Sequence, residues 1–130
     1  MVYADASALV KLVIEEEESG PLMELIGGEQ VPASSIVSAV EVPRAVRRAG
    51  EPHDAIENAR RLVDALELLT LDDEVVSRTW AIYPSVRSLD AIHLASALTL
   101  GSELDAFAAY DRRLQRAARD LGLHVVAPGS

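Results

Sequence analysis

Four acids are spaced so that each falls where an apolar stretch gives way to a helix-like one: Asp5, Glu41, Asp90 and Asp111. Each has a purely structural use. Asp5 and Asp111 suit helix N-caps, Ser38-Ala39-Val40-Glu41 suits a capping box, and Asp90 follows Ser88 closely enough to favour a helix dipole. Asp5 and Asp111 also follow strand-like runs, and a parallel sheet brings such strand ends to one edge. Carboxylates gathered there cannot all stay ionised without a cation. Oxygen-only ligation in a chain with no cysteine suits Mg²⁺ or Mn²⁺ better than zinc. Such ions lower the pKa of bound water and stabilise charge on phosphoryl oxygens, the chemistry of phosphodiester hydrolysis.

The elements that would position these acids follow from periodicity. Val2 to Ala4 reads as a first strand with Asp5 at its carboxyl end, and Ser7 to about Glu17 as a helix. Ser19-Gly20-Pro21 is a break, Pro21 starting a second helix that ends at Gly27-Gly28. Gln30 to Ala33 is short and extended. Ser35 or Ser38 opens a helix to about Ala49, and Pro52 opens another to about Glu67. Leu68 to Leu71 is a buried strand, and Asp72 or Asp73 caps a helix to about Tyr83. Ser88 to Leu100 is the most strongly patterned helix; Ala106 to Ala109, Asp111 to Leu121 and His124 to Ala127 read as strand, helix and strand. Short strands alternating with helices predict an α/β domain with a mainly parallel sheet, whose carboxyl edge is where ligands bind.

The 130 residues suffice for a single domain over 1–130 with a proper core. No apolar run has membrane-spanning length and no secretory signal is evident, which fits a cytoplasmic protein. The net charge of −9 argues against general affinity for nucleic acid. Arginines nevertheless cluster at Arg44/Arg47/Arg48, Arg60/Arg61 and Arg112/Arg113/Arg116/Arg119, as polar helix faces or as anion contacts. Glu15 to Glu18 reads as a solvated helix end. Three rival chemistries are not supported. An aspartyl-nucleophile phosphatase wants a second Asp where Ser7 stands, and a receiver domain wants a lysine after a late strand, whereas the only lysine is Lys11. The glycine fingerprint of dinucleotide binding is absent.

The segments Y-A-D-A-S-A-L-V-K-L, S-A-V-E-V-P-R-A-V-R-R, S-L-D-A-I-H-L-A-S-A-L and A-Y-D-R-R-L occur in order and at fitting separations. Together they resemble the four motifs of the PIN-domain nucleases, closest to the VapC-type toxins of type II toxin–antitoxin pairs. The resemblance implies a PIN-like three-layer domain with a mainly parallel sheet between helices. It also implies Mg²⁺- or Mn²⁺-dependent RNA cleavage, with Asp5, Glu41, Asp90 and Asp111 as the metal-binding acids.

A VapB-like antitoxin and a homodimer are the partners so implied. An antitoxin would lie near Leu12, Val13 and Leu25 and insert a basic residue among the acids. One departure stands out: the family commonly has T-x-D or S-x-D at the last motif, and this chain has Ala109. It motivates an alternative, a weak or inactive PIN-fold module that only binds RNA or protein. Ser7 reads as an N-cap or a metal contact. His93 is expected to pack or hydrogen-bond, Trp80 and Tyr83 to pack, Tyr110 to stack on a base, and Asp105 to lie far from the site.

Overall fold

β1 (Val2–Ala4) is only three residues long, yet Tyr3 and Ala4 are wholly buried. A strand buried on both faces must be flanked on both edges and covered on both sides. In the computed structural model, which describes residues 1–28 and 31–130, β1 is the centre of a parallel sheet ordered β3-β2-β1-β4-β5. The others are β2 (Ala33–Ser35), β3 (Glu67–Leu69), β4 (Ala106–Ala108) and β5 (Val125–Val126). Tyr3 pairs with Ala33 on one side and Phe107 on the other. The chain builds outward from β1 through β2 to β3, then returns to lay β4 against the other edge of β1. That reversal opens a crevice beyond the carboxyl ends of β1 and β4.

Helices cover both faces. On one side α1 (Ala6–Val10), α2 (Ser19–Ile26), α3 (Ser38–Arg48) and α4 (His53–Ala65) supply Leu9, Leu22, Val42, Val46 and Ala59 to one core. On the other, α5 (Asp73–Trp80), α6 (Ser88–Thr99) and α7 (Arg112–Asp120) bring Val75, Leu94, Ala95 and Leu114 onto Tyr3 and Phe107. Those two rings stack at 5.3 Å. The three-layer α/β architecture is thus as expected.

Several local expectations are corrected. The first helix stops at Val10, because Ser19 Oγ donates to the Lys11 carbonyl at 2.6 Å and folds the chain back. Glu15 to Glu18 is therefore no helix end; Lys11 reaches Glu16 at 2.8 Å and Glu18 at 3.1 Å. α2 begins at Ser19, with Pro21 inside its first turn, where no amide donor is needed. The second strand lies later than read, and Gln30 is outside the described residues. Ser34 belongs to this strand because its hydroxyl donates to the Ala4 carbonyl at 2.6 Å and meets Ser38 Oγ at 2.7 Å.

That engagement removes Ser38 as a cap: α3 follows Val37 with no side-chain cap, so the capping box does not form. Ser88 does not cap either, since α6 follows Arg87. Asp72 caps α5 through the Val75 amide at 3.0 Å. Trp80 and Tyr83 do not pack; they are 80% and 76% exposed, because Val75 and Ile82 take the inward positions. Leu12 and Val13 lie half-buried against the core, leaving Leu25 and its neighbour Met23 exposed on α2. Asp105 pairs with the Met1 amino group at the opposite end of β4 from the crevice.

Candidate active site

Asp5 extends the sheet by one bond, its amide donating to the Ala108 carbonyl at 3.1 Å. Its side chain then turns into α1. Oδ1 accepts the Ala8 amide at 3.1 Å and the Ser7 hydroxyl at 2.6 Å, and the residue is only 5% exposed. Among the described residues Oδ2 has no hydrogen-bond donor. Burial pushes the Asp5 pKa up, against the opposing effect of the Ser7 hydroxyl. Ser7 is neither a cap nor free: its oxygen also accepts the Tyr110 amide at 3.1 Å, tying the end of β1 to the chain beyond β4. Asp111 caps α7 in the same manner, Oδ1 accepting the Leu114 amide at 2.9 Å, but its residue is exposed.

Glu41 sits in the first turn of α3, with Oε1 2.7 Å from His93 Nε2. His93 is 1% exposed, and its Nδ1 lies 2.7 Å from the Tyr3 hydroxyl. Burial raises the Tyr3 pKa, so the phenol keeps its proton. Tyr3, His93 and Glu41 thus form a relay from the sheet core to the crevice. His93 hydrogen-bonds as expected. Tyr3 carries no such signal in the sequence, because a buried tyrosine on a strand reads as core.

Asp90, in the first turn of α6, is half-buried. Burial raises its pKa most; Arg87 opposes this, while Asp111 and Glu41 raise it further. Asp90 therefore lies within electrostatic reach of two of the other acids. Asp5 and Asp111 follow β1 and β4 on either side of the reversal, Glu41 is on the helix after β2, and Asp90 is on the helix after α5. As placed, no three Asp, Glu or His among the described residues form a closed ligand group. Glu41 is turned onto His93 instead. In kind, the donor set is all carboxylate oxygen, which fits a hard divalent cation.

Ala109 is fully buried; its carbonyl accepts from Gln115 Nε2 at 2.7 Å. Tyr110 is held by its hydroxyl on the Pro128 carbonyl at 2.8 Å, with the Lys11 ammonium 4.7 Å from its ring centre. The Lys11 ammonium thus lies over one face of that ring.

The PIN domain profile matches residues 2–120. Ribonuclease VapC47 of Mycobacterium tuberculosis (strain CDC 1551 / Oshkosh) is 41% identical over 135 residues, covering 100% of this chain and 98% of that one. Ribonuclease VapC46 of Mycobacterium tuberculosis (strain ATCC 25618 / H37Rv) is 39% identical, covering 98% and 97%. Among solved structures, a toxin–antitoxin complex from Klebsiella pneumoniae superposes with a TM-score of 0.75 at 17% identity, covering 98% of each chain. Mycobacterium tuberculosis VapC20, a sarcin–ricin loop cleaving toxin, gives 0.72 at 17% identity, covering 98% of this chain and 100% of that one. The likeness to the solved structures shows the fold; the full-length likeness to the ribonucleases shows the family. The chain belongs to the PIN-domain family, within its VapC group.

Proposed function

We propose that the single domain over residues 1–130 is an endoribonuclease that cleaves RNA phosphodiesters and serves as the toxin of a toxin–antitoxin pair. The observation that carries this is that Asp111 and Glu41 both raise the pKa of Asp90, while Asp5 and Asp111 follow adjacent strands of the sheet. Such repulsion weakens a fold unless a ligand relieves it. Mg²⁺ or Mn²⁺ held by these carboxylates would supply an activated water and charge stabilisation at phosphorus. The chain's own contribution is to hold the oxygens. Ser7 and the Ala8 amide orient Asp5 so that Oδ2 stays free, and the Leu114 amide orients Asp111. His93, steadied by Tyr3, sets Glu41.

The partner of this reading is a VapB-like antitoxin. Met23 and Leu25 offer it an exposed apolar strip on α2, and an arginine from it would bond the carboxylates bidentately. A homodimer is part of the same reading. Among the described residues no helix is long and apolar enough to cross a membrane.

The test is purified protein on structured and single-stranded RNA, with and without Mg²⁺ or Mn²⁺, beside Asp5→Asn. An amide keeps the α1 cap while removing the charge. Cleavage is expected to need the metal and to fall more than about a hundredfold in Asp5→Asn, beyond the loss typical of an outer partner. Equal cleavage by Asp5→Asn would overturn the assignment. Failure of wild type both to bind Mn²⁺ and to cleave would favour the inactive module that Ala109 motivates.

A further inference from the structure

Beside the acid cluster, α7 and the turn from α5 into α6 enclose a cleft of about 510 Å³ with Asp90 on its wall. Its floor is apolar, with Val86, Leu114 and Leu121 among the residues that line it, and the exposed Tyr83 ring forms part of its rim. Three arginines line it, Arg87, Arg113 and Arg116, together with the acids Asp90 and Asp120. Among the described residues none of the three guanidiniums is within salt-bridge distance of a carboxylate. In a chain of net charge −9 these three arginines put positive charge on the wall of one cleft that also holds Asp90. Guanidinium forks around an apolar floor, with an aromatic ring at the edge, match a nucleotide: phosphate for the arginines, base for the floor and ring.

We propose that this cleft is the subsite for a nucleotide of single-stranded RNA adjoining the cleaved bond. Arg113 and Arg116 hold its phosphate, Tyr83 stacks on its base, and Arg87, one turn before Asp90, links the subsite to the acids. The proposal deepens the ribonuclease reading and rests on it. It also reconciles an acidic chain with an RNA substrate, because attraction is needed along one path and not over the whole surface.

Binding and cleavage are read separately. A fluorescein-labelled single-stranded RNA of about ten nucleotides is titrated, by anisotropy, with Asp5→Asn protein over about 50 to 200 mM KCl. Arg113→Ala/Arg116→Ala is then added to that background. Arg60→Ala/Arg61→Ala serves as control, since α4 covers the other face of the sheet. The cleft variant is expected to bind roughly tenfold or more weakly, and its log–log salt slope to become shallower by about 0.7 for each phosphate that the arginines no longer hold.

The control is expected to match its parent, and Tyr83→Ala to lose affinity with no change of salt slope. Unchanged affinity and slope in the cleft variant, with its melting transition intact, would overturn the proposal. So would a loss of antitoxin binding with RNA binding unaltered, which would make the cleft a protein interface. Failure of wild type to cleave any RNA would instead count against the ribonuclease reading, and the titration would still decide whether the cleft binds RNA.

Discussion

Asp5 and Asp111 follow adjacent strands, Asp5 directly after β1 and Asp111 three residues past the end of β4, and each caps the following helix through Oδ1. Local chemistry treats them alike. Their surroundings do not. Asp5 lies at the buried centre of the sheet and carries a second bond from Ser7, whereas Asp111 faces solvent on the outer layer. The same motif therefore yields a costly, highly oriented carboxylate at one position and an inexpensive one at the other. Capping accounts for both residues, but it does not account for burying one of them.

The sharpest test of that contrast is activity against stability. Asp5→Asn and Asp111→Asn are both expected to cost cleavage heavily, Asp5→Asn by more than about a hundredfold. Only Asp5→Asn should raise the melting temperature of the metal-free protein, by about 3–6 °C near neutral pH, since it removes a buried charge while keeping the cap. The sign follows from the raised folded-state pKa of Asp5. The native state holds a proton that the unfolded chain releases, so stability is fully present below the ordinary aspartate pKa and is lost as pH rises through the folded value. Asp90 acts in the same direction. Melting curves from acid to neutral pH should show this decline, and Asp5→Asn should flatten it. Equal stabilisation by Asp111→Asn would erase the distinction.

A smaller effect is expected from His93→Gln. It removes the ring that places Glu41 without touching a carboxylate, so activity and Mn²⁺ affinity should fall together by roughly 10- to 100-fold. Isothermal titration of Mn²⁺ beside a cleavage assay checks this. Loss of fold without loss of metal affinity in the surviving protein would make His93 only a core residue.

The smallest effect concerns Ala109. Ala109→Thr is expected to keep or raise activity, but the site is fully buried and two added heavy atoms cost about 1–3 kcal/mol by overpacking. Ala109→Ser adds the hydroxyl with less bulk, and initial rates on one RNA compare all three. A large loss of activity in the serine variant would show that this site departs from the family's arrangement.

Periodicity and turn residues suffice to place β1, the helices and the parallel character of the sheet. Apolar runs bounded by Gly50, Pro84 and Gly101 leave little choice of period. The acids Asp5, Asp72 and Asp111 are also legible as caps, because capping depends only on neighbours three residues away. Where a polar side chain has a distant partner, the local reading fails. Ser38 looks like a cap until Ser34 engages it, and Glu15 to Glu18 looks like a helix end until Ser19 and Lys11 fold the chain back.

The reach from Tyr3 through His93 to Glu41 spans most of the chain, and no window of sequence contains it. Burial likewise depends on what the rest of the chain covers. Trp80 is left exposed and Asp5 is enclosed, although side-chain character alone would assign them the other way. Residue order is enough to say which side chains have the chemistry and which elements carry them. The packing of α1 to α4 and α5 to α7 against one twisted sheet decides which acids share a field and which one is desolvated. It also decides which arginines line a cleft, because those properties arise from distances between segments that are remote along the chain.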